Sequence, residues 1–151
     1  MKHEQILKYE TCPRLEELGT DDMELIRAAK LALTQSYSPY SGYRVGASAR
    51  LESGRIITAT NQESAVFPAG LCAERILLYA HMASEPNDPI VTMAVISSDS
   101  EHECRPCGEC RQVMVDVEAR QGRAFRIIMG CDKSATIVDS PSVLLPFPFE
   151  M

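Results

Sequence analysis

Three of the six cysteines stand where one metal ion could use them: Cys72 in Cys72-Ala73-Glu74-Arg75, and Cys107 and Cys110 in Pro106-Cys107-Gly108-Glu109-Cys110. A thiolate is a good zinc ligand, and the Cys107/Cys110 spacing suits one tetrahedral ion held by a single turn of chain. Three protein ligands leave a fourth place for water, the coordination of a catalytic site, whereas four cysteines would close it. Glu74, two residues past Cys72, can stand beside the ion without binding it, as a general acid/base must. Three thiolates on a dication leave about one negative charge, which opposes ionisation of a bound water. Arg75 could offset that charge by hydrogen bonding to a ligand sulfur. A rival reading uses Cys104, Cys107 and Cys110, spaced i, i+3, i+6, as a structural knuckle or the start of an iron-sulfur run. That run asks for a further Cys before Pro where position 114 is Met, and either version leaves Glu74 idle. Cys12, Cys104 and Cys131 read as small buried or spare thiols. His3, His81 and His102 read as bystanders, since none has the His-x-Glu placement of a ligand.

Both cysteine segments fall at expected helix starts, where free N–H groups and the positive dipole end favour thiolates. Two helix starts could therefore point at one ion. Upstream, Asp21 and Glu24 open a helix whose apolar face, Leu25, Ile26, Ala29 and Leu33, runs until Ser38-Pro-Tyr-Ser-Gly42 stops it near Tyr37. Val45, Ala47, Ala49 and Leu51 then alternate with Arg44, Ser48 and Arg50, and Ser53-Gly54 turns the chain into residues 55–60 as a hairpin. A second helix is expected over 71–84, a buried strand over 91–98, a third helix over 106–120 and a strand over 124–131. A short strand at 136–139 and a turn of helix within 142–149 close the chain. The order α-β-β-α-β-α-β-β predicts an α/β fold, a three-layer α-β-α sandwich around a mixed, roughly five-stranded sheet. Residues 1–19 read as an N-terminal arm with a strand around Ile6 to Tyr9, and 20–151 as one catalytic domain.

Composition narrows the partners. The chain has 151 residues, 45% hydrophobic and 24% charged, which is enough for one domain with its own core. A formal net charge of −6 lacks the basic field that a nucleic-acid polymer requires. The N-terminal segment has no apolar run beyond Ile6-Leu7, and nothing approaches the roughly 20 apolar residues of a membrane span. A cytoplasmic location, no membrane partner and free rather than disulfide-bonded cysteines are the expectation.

These residues resemble the cytidine deaminase family, of the small homotetrameric zinc type. The resemblance runs from about Ser38 to Phe149, through SPYSGYRVGA, NQESA, CAER, PCGECRQ and LLPFPF in family order. It implies one zinc per chain on Cys72, Cys107 and Cys110, with Glu74 shuttling protons while a zinc-activated water attacks C4 of cytosine. It implies that Asn61 and Glu63 grip the ribose hydroxyls, that Tyr43 stands where the family usually has Phe against the nucleoside, and that backbone at Ala73 reads the pyrimidine edge. Phe67 takes the place of a family Tyr at the pocket, and Phe149 matches an aromatic that reaches into a neighbouring subunit's pocket. The activity implied is hydrolysis of free cytidine, and deoxycytidine, to the uridine product and ammonia in pyrimidine salvage. Residues 64–68 depart from the family's Asn-Ala-Ser-Tyr-Gly, and Pro68 removes a donor and fixes φ where a flexible Gly is usual. Two alternatives follow: deamination of a modified cytosine nucleoside such as a blasticidin-like antibiotic, and a non-catalytic zinc-stabilised binding module.

Overall fold

The alternating small residues of β2 (Val45–Leu51) give a strand buried on both faces, flanked on either side by another strand. It turns at Gly54, whose φ of 89° suits a residue without Cβ, into β3 (Ile56–Thr60), pairing Ala47 with Ala59. On its other edge it pairs antiparallel with β4 (Ile90–Ser97), Ala47 opposite Val95. The computed structural model describes residues 1–150. Strand β5 (Arg126–Gly130) lies parallel to β4, and β6 (Ala135–Val138) returns antiparallel beside it. With β1 (Glu10–Cys12), the sheet has six strands in the order β1-β6-β5-β4-β2-β3.

Period two along β4 and β5 separates two cores. Met93, Val95, Ile127 and Met129 face Ala73, Leu77 and Leu78 of α2 (Ala73–Ser84) and Val113, Met114 and Val117 of α3 (Gly108–Gln121). Ala94, Ile96 and Ile128 face Leu25, Ile26 and Ala29 of α1 (Thr20–Ala32). The result is the expected three-layer α-β-α sandwich. Gly46 sets the α1 layer distance, because a Cβ there would lie 2.0 Å from the Ala29 carbonyl oxygen.

Three expectations need correction. The arm's strand is β1 at Glu10–Cys12, not Ile6 to Tyr9, because it forms where β6 offers an edge, Glu10 opposite Ile137 and Cys12 opposite Ala135. This strand raises the expected five to six. Helix α1 ends at Ala32 and passes through a 3-10 turn at Leu33–Gln35. Tyr37 is extended instead, with its N–H bonded to the Asn61 carbonyl and its own carbonyl accepting from Glu63 N–H. Among the described residues no helix is long and apolar enough to cross a membrane.

Candidate functional site

Cys72 and Cys107 occupy equivalent positions: each is the extended residue capping the N-terminus of its helix, α2 and α3 respectively. Their carbonyls accept the first helical N–H bonds, from Ile76 and Arg111, while their thiols remain free of capping duty. Cys110 lies in the first turn of α3. Because α2 and α3 pack on one face of the sheet, their N-termini converge, and the three sulfurs lie within 4.8 Å of one another. Cys72 Sγ is 3.9 Å from Cys107 Sγ, which is 3.4 Å from Cys110 Sγ. Zinc–sulfur bonds of about 2.3 Å in tetrahedral geometry place sulfurs about 3.8 Å apart. The cluster therefore fits one ion of that kind.

Its electrostatics also fit a cation. Cys72 is brought down to about 5 by hydrogen bonding from Cys110, helped by Arg75 and Cys107. Cys110 is pushed well above the usual thiol range, because it gives that hydrogen bond and is buried. Three sulfurs this close cannot all become thiolates unless a positive charge joins them. Arg75 Nη2 lies 3.9 Å from Cys72 Sγ and pairs with Glu109 at 3.0 Å. Arg111, which the motif reading passed over, fastens the approach to Cys107 by donating to the Pro106 carbonyl (2.8 Å) and the Leu144 carbonyl (3.1 Å).

Glu74 is 3% exposed, and burial, reinforced by the negative charge of Cys72, raises its carboxyl to about 7. It lines a pocket of about 620 Å³ together with Cys72, Cys107 and Arg75. Tyr43, Asn61, Glu63 and Phe67 line the same pocket. Ala73 is fully buried at the first position of α2. Phe149 is not brought into this pocket: its ring is exposed, and its backbone exchanges two 3.0 Å hydrogen bonds with the Gln112 amide.

The polar pair is held by the protein itself. Asn61 Oδ1 accepts from Ser36 Oγ (2.6 Å) and Val45 N (2.9 Å), while its Nδ2 donates to the Tyr43 carbonyl (2.9 Å). The amide carbonyl is thereby filled, and one N–H remains for a ligand. The Glu63 carboxylate accepts from the N–H groups of Tyr40 and Ser41 and from the Ser41 hydroxyl, which lowers its pKa, with the Ser41 hydroxyl leading. Ser36, Tyr40 and Ser41 were thus missed as supports. The signal for Tyr40 and Ser41 was the turn-forming Ser-Pro-Tyr-Ser-Gly run at 38–42; Ser36, bonded to Asn61, had none. Cys104, read as a small buried or spare thiol, is buried, and it stands in the pocket wall, where burial pushes it up to about 12. Residues 67–69 form a 3-10 turn with Pro68 in its first turn, and Phe67 meets Tyr40 edge-on at 5.3 Å.

The family described as cytidine and deoxycytidylate deaminase zinc-binding region matches residues 20–124. The chain belongs to this deaminase family. It is 37% identical to a cytidine deaminase of Halalkalibacterium halodurans over 97 residues, 64% of this chain and 72% of that one. A cytidine deaminase crystal structure from Burkholderia pseudomallei superposes with a TM-score of 0.73 at 30% identity, covering 84% of this chain and 98% of that one. A blasticidin-S deaminase of Bacillus cereus is 29% identical over 105 residues, 66% of this chain and 74% of its own. Within this zinc-binding family, the three-thiol group is the cluster among the described residues able to hold one ion.

Proposed function

We propose that the chain is a zinc-dependent hydrolase that deaminates free cytidine, and deoxycytidine, to the corresponding uridine and ammonia in pyrimidine nucleoside salvage. The observation that carries this reading is the buried carboxyl of Glu74 sharing a nucleoside-sized pocket with Cys72 and Cys107, whose sulfurs lie within 4.8 Å of each other and of Cys110 behind them. Zinc held by these thiols supplies Lewis-acid activation of water near neutral pH. Glu74 would take one proton from the attacking water and pass it to ring N3, then take the second from the new C4 hydroxyl and pass it to the departing amine. One water enters and one ammonia leaves, as C4 exchanges its exocyclic C–N bond for C–O. A carboxyl raised to about 7 is matched to giving and taking protons at neutral pH.

The surrounding roles follow from position. Arg75 tempers the sulfur charge, the Ala73 backbone reads the base edge, and Tyr43 and Phe67 flank the nucleoside. Asn61 and Glu63 meet the sugar through the hydrogen-bonding capacity that their protein partners leave free. Residues 20–151 act as the catalytic unit with 1–19 as an arm, and a cytoplasmic homotetramer completes each pocket with Phe149 from a neighbour. The test is loss of cytidine absorbance on incubation with the purified protein, abolished by chelation and restored by zinc. A zinc-loaded protein without turnover would support the binding-module alternative. Two observations favour a second reading, deamination of a modified cytosine nucleoside: a 3-10 turn with Pro68 sets Phe67 in the pocket wall, and one relative is a blasticidin-S deaminase. A higher kcat/KM for blasticidin S than for cytidine would decide for it.

A further inference from the structure

Glu109 stands between two of the three thiols in sequence, yet its carboxylate lies outside the group of ligand atoms within 4.8 Å of one another. It meets Arg75 instead, with Oε2 3.0 Å from Nη2. The same Nη2 donates to Cys72 Sγ at 3.9 Å. Arg75 is the third residue of α2 and mostly buried, whereas Glu109 is the second residue of α3 and exposed. A cation in the first turn of a helix faces the positive end of the dipole, where an anion is favoured. Arg75 is therefore misplaced with respect to its own helix, and its Nε is buried without a partner. A charge so placed needs an opposite charge beside it, and Glu109 brings one from the neighbouring helix.

The pair joins the two elements that must agree on the ion. Cys72 belongs to the end of α2, and Cys107 and Cys110 to the end of α3. Two helix N-termini brought together set like dipole ends against each other, and thiols are weak hydrogen-bonding groups. Something stronger has to hold the ends in register. Among the described residues, Arg75–Glu109 is the ion pair that links α2 to α3. Arg75 lies three residues past Cys72 and Glu109 one residue before Cys110. A slip of α2 against α3 that lengthens the pair therefore also separates the sulfurs.

We propose that Glu109 is a positioning residue of the zinc site: paired with Arg75, it clasps the N-termini of α2 and α3 and holds the Cys72 sulfur at ion-binding distance from Cys107 and Cys110. This role rests on the zinc reading of the cluster and is tested without turnover. Full-length wild-type, Glu109→Gln and Glu109→Asp proteins are titrated with cobalt(II). The readouts are the dissociation constant and the thiolate-to-cobalt charge-transfer absorption. Glu109→Gln, which keeps the shape and removes the charge, should weaken cobalt binding by up to about fivefold, the worth of one partly exposed ion pair, and shift the charge-transfer band. Glu109→Asp should lie nearer the wild type. In an Arg75→Gln background, Glu109→Gln should add nothing, because its partner is gone. Unchanged affinity and absorption in Glu109→Gln overturn the clasp, as does an equal loss with and without Arg75. Wild-type protein that takes up no cobalt overturns the zinc reading itself, and the clasp with it.

Discussion

Glu74 differs from an ordinary glutamate only in where it sits. Two residues away from a sulfur ligand and sealed from water, its carboxyl holds a proton near neutrality. Glu74→Gln keeps the shape but cannot pass a proton, so cytidine turnover should fall by about 10² to 10⁴-fold while zinc stays bound by elemental analysis. Near-normal turnover in the Gln variant would remove Glu74 from the reaction. The cysteines divide by position. The sulfurs of Cys72, Cys107 and Cys110 lie within 4.8 Å of one another, whereas Cys104, in the wall of the same pocket, is outside that group. Cys104→Ala should therefore retain about one zinc per chain and Cys72→Ala should lose it. The opposite pattern would return the metal to the Cys104/Cys107/Cys110 knuckle.

The elements carry these residues to one place, and their tolerances are narrow where backbones touch. Helix α1 lies against β2 at Gly46, where an added Cβ would meet a main-chain oxygen that cannot rotate away. Gly46→Ala should therefore cost about 1 to 3 kcal/mol or more in overpacking, read as a lower denaturant midpoint at unchanged slope. Wild-type stability in that variant would mean that α1 is free to shift outward. The hairpin, α2, α3 and the two buried strands were legible because their signals are local: period two, period 3.6 and a turn residue between them. Strand β1 was misplaced because its cause is the free edge of β6, far along the chain. The family resemblance implied Asn61 for the sugar, but its residue type shows nothing of Ser36, Tyr43 and Val45, which the fold brings to its amide. That finding moderates the sugar discrimination to be expected. Asn61 and Glu63 keep most of their partners when a ribose hydroxyl is missing, so the substrate loses one charge-assisted hydrogen bond rather than leaving two groups stranded. A loss of about 10- to 150-fold in kcat/KM for 3′-deoxycytidine relative to cytidine corresponds to that one bond. Equal values would mean that the Tyr40–Ser41 turn, and not the sugar, uses Glu63.

At the scale of the molecule, one pocket has a wall still open to its surroundings. Phe67 is 72% exposed at its edge, and Phe147 and Phe149 are 94% and 71% exposed in the terminal segment. Phe147 even holds a left-handed backbone, φ 56°, a conformation that costs a non-glycine residue about 1 to 2 kcal/mol. Gln112 fastens the Phe149 backbone to α3 on both its N–H and C=O, so the ring is presented outward at a fixed point. Aromatic rings displayed in this way are the usual anchors of a protein interface, and the partner proposed above is a second copy that would receive Phe149 into its own nucleoside pocket. Two damaged chains should then repair each other. A Glu74→Gln chain lacks the proton carrier but still lends Phe149, whereas a Phe149→Ala chain keeps Glu74 but lends nothing. Either homo-oligomer should turn over cytidine poorly. Mixed, dissociated and reassembled, they form pockets that pair an intact Glu74 with an intact Phe149, and activity should rise above the sum of the two alone. Additive activity in the mixture, or a monomer at micromolar concentration by light scattering, would confine each pocket to its own chain.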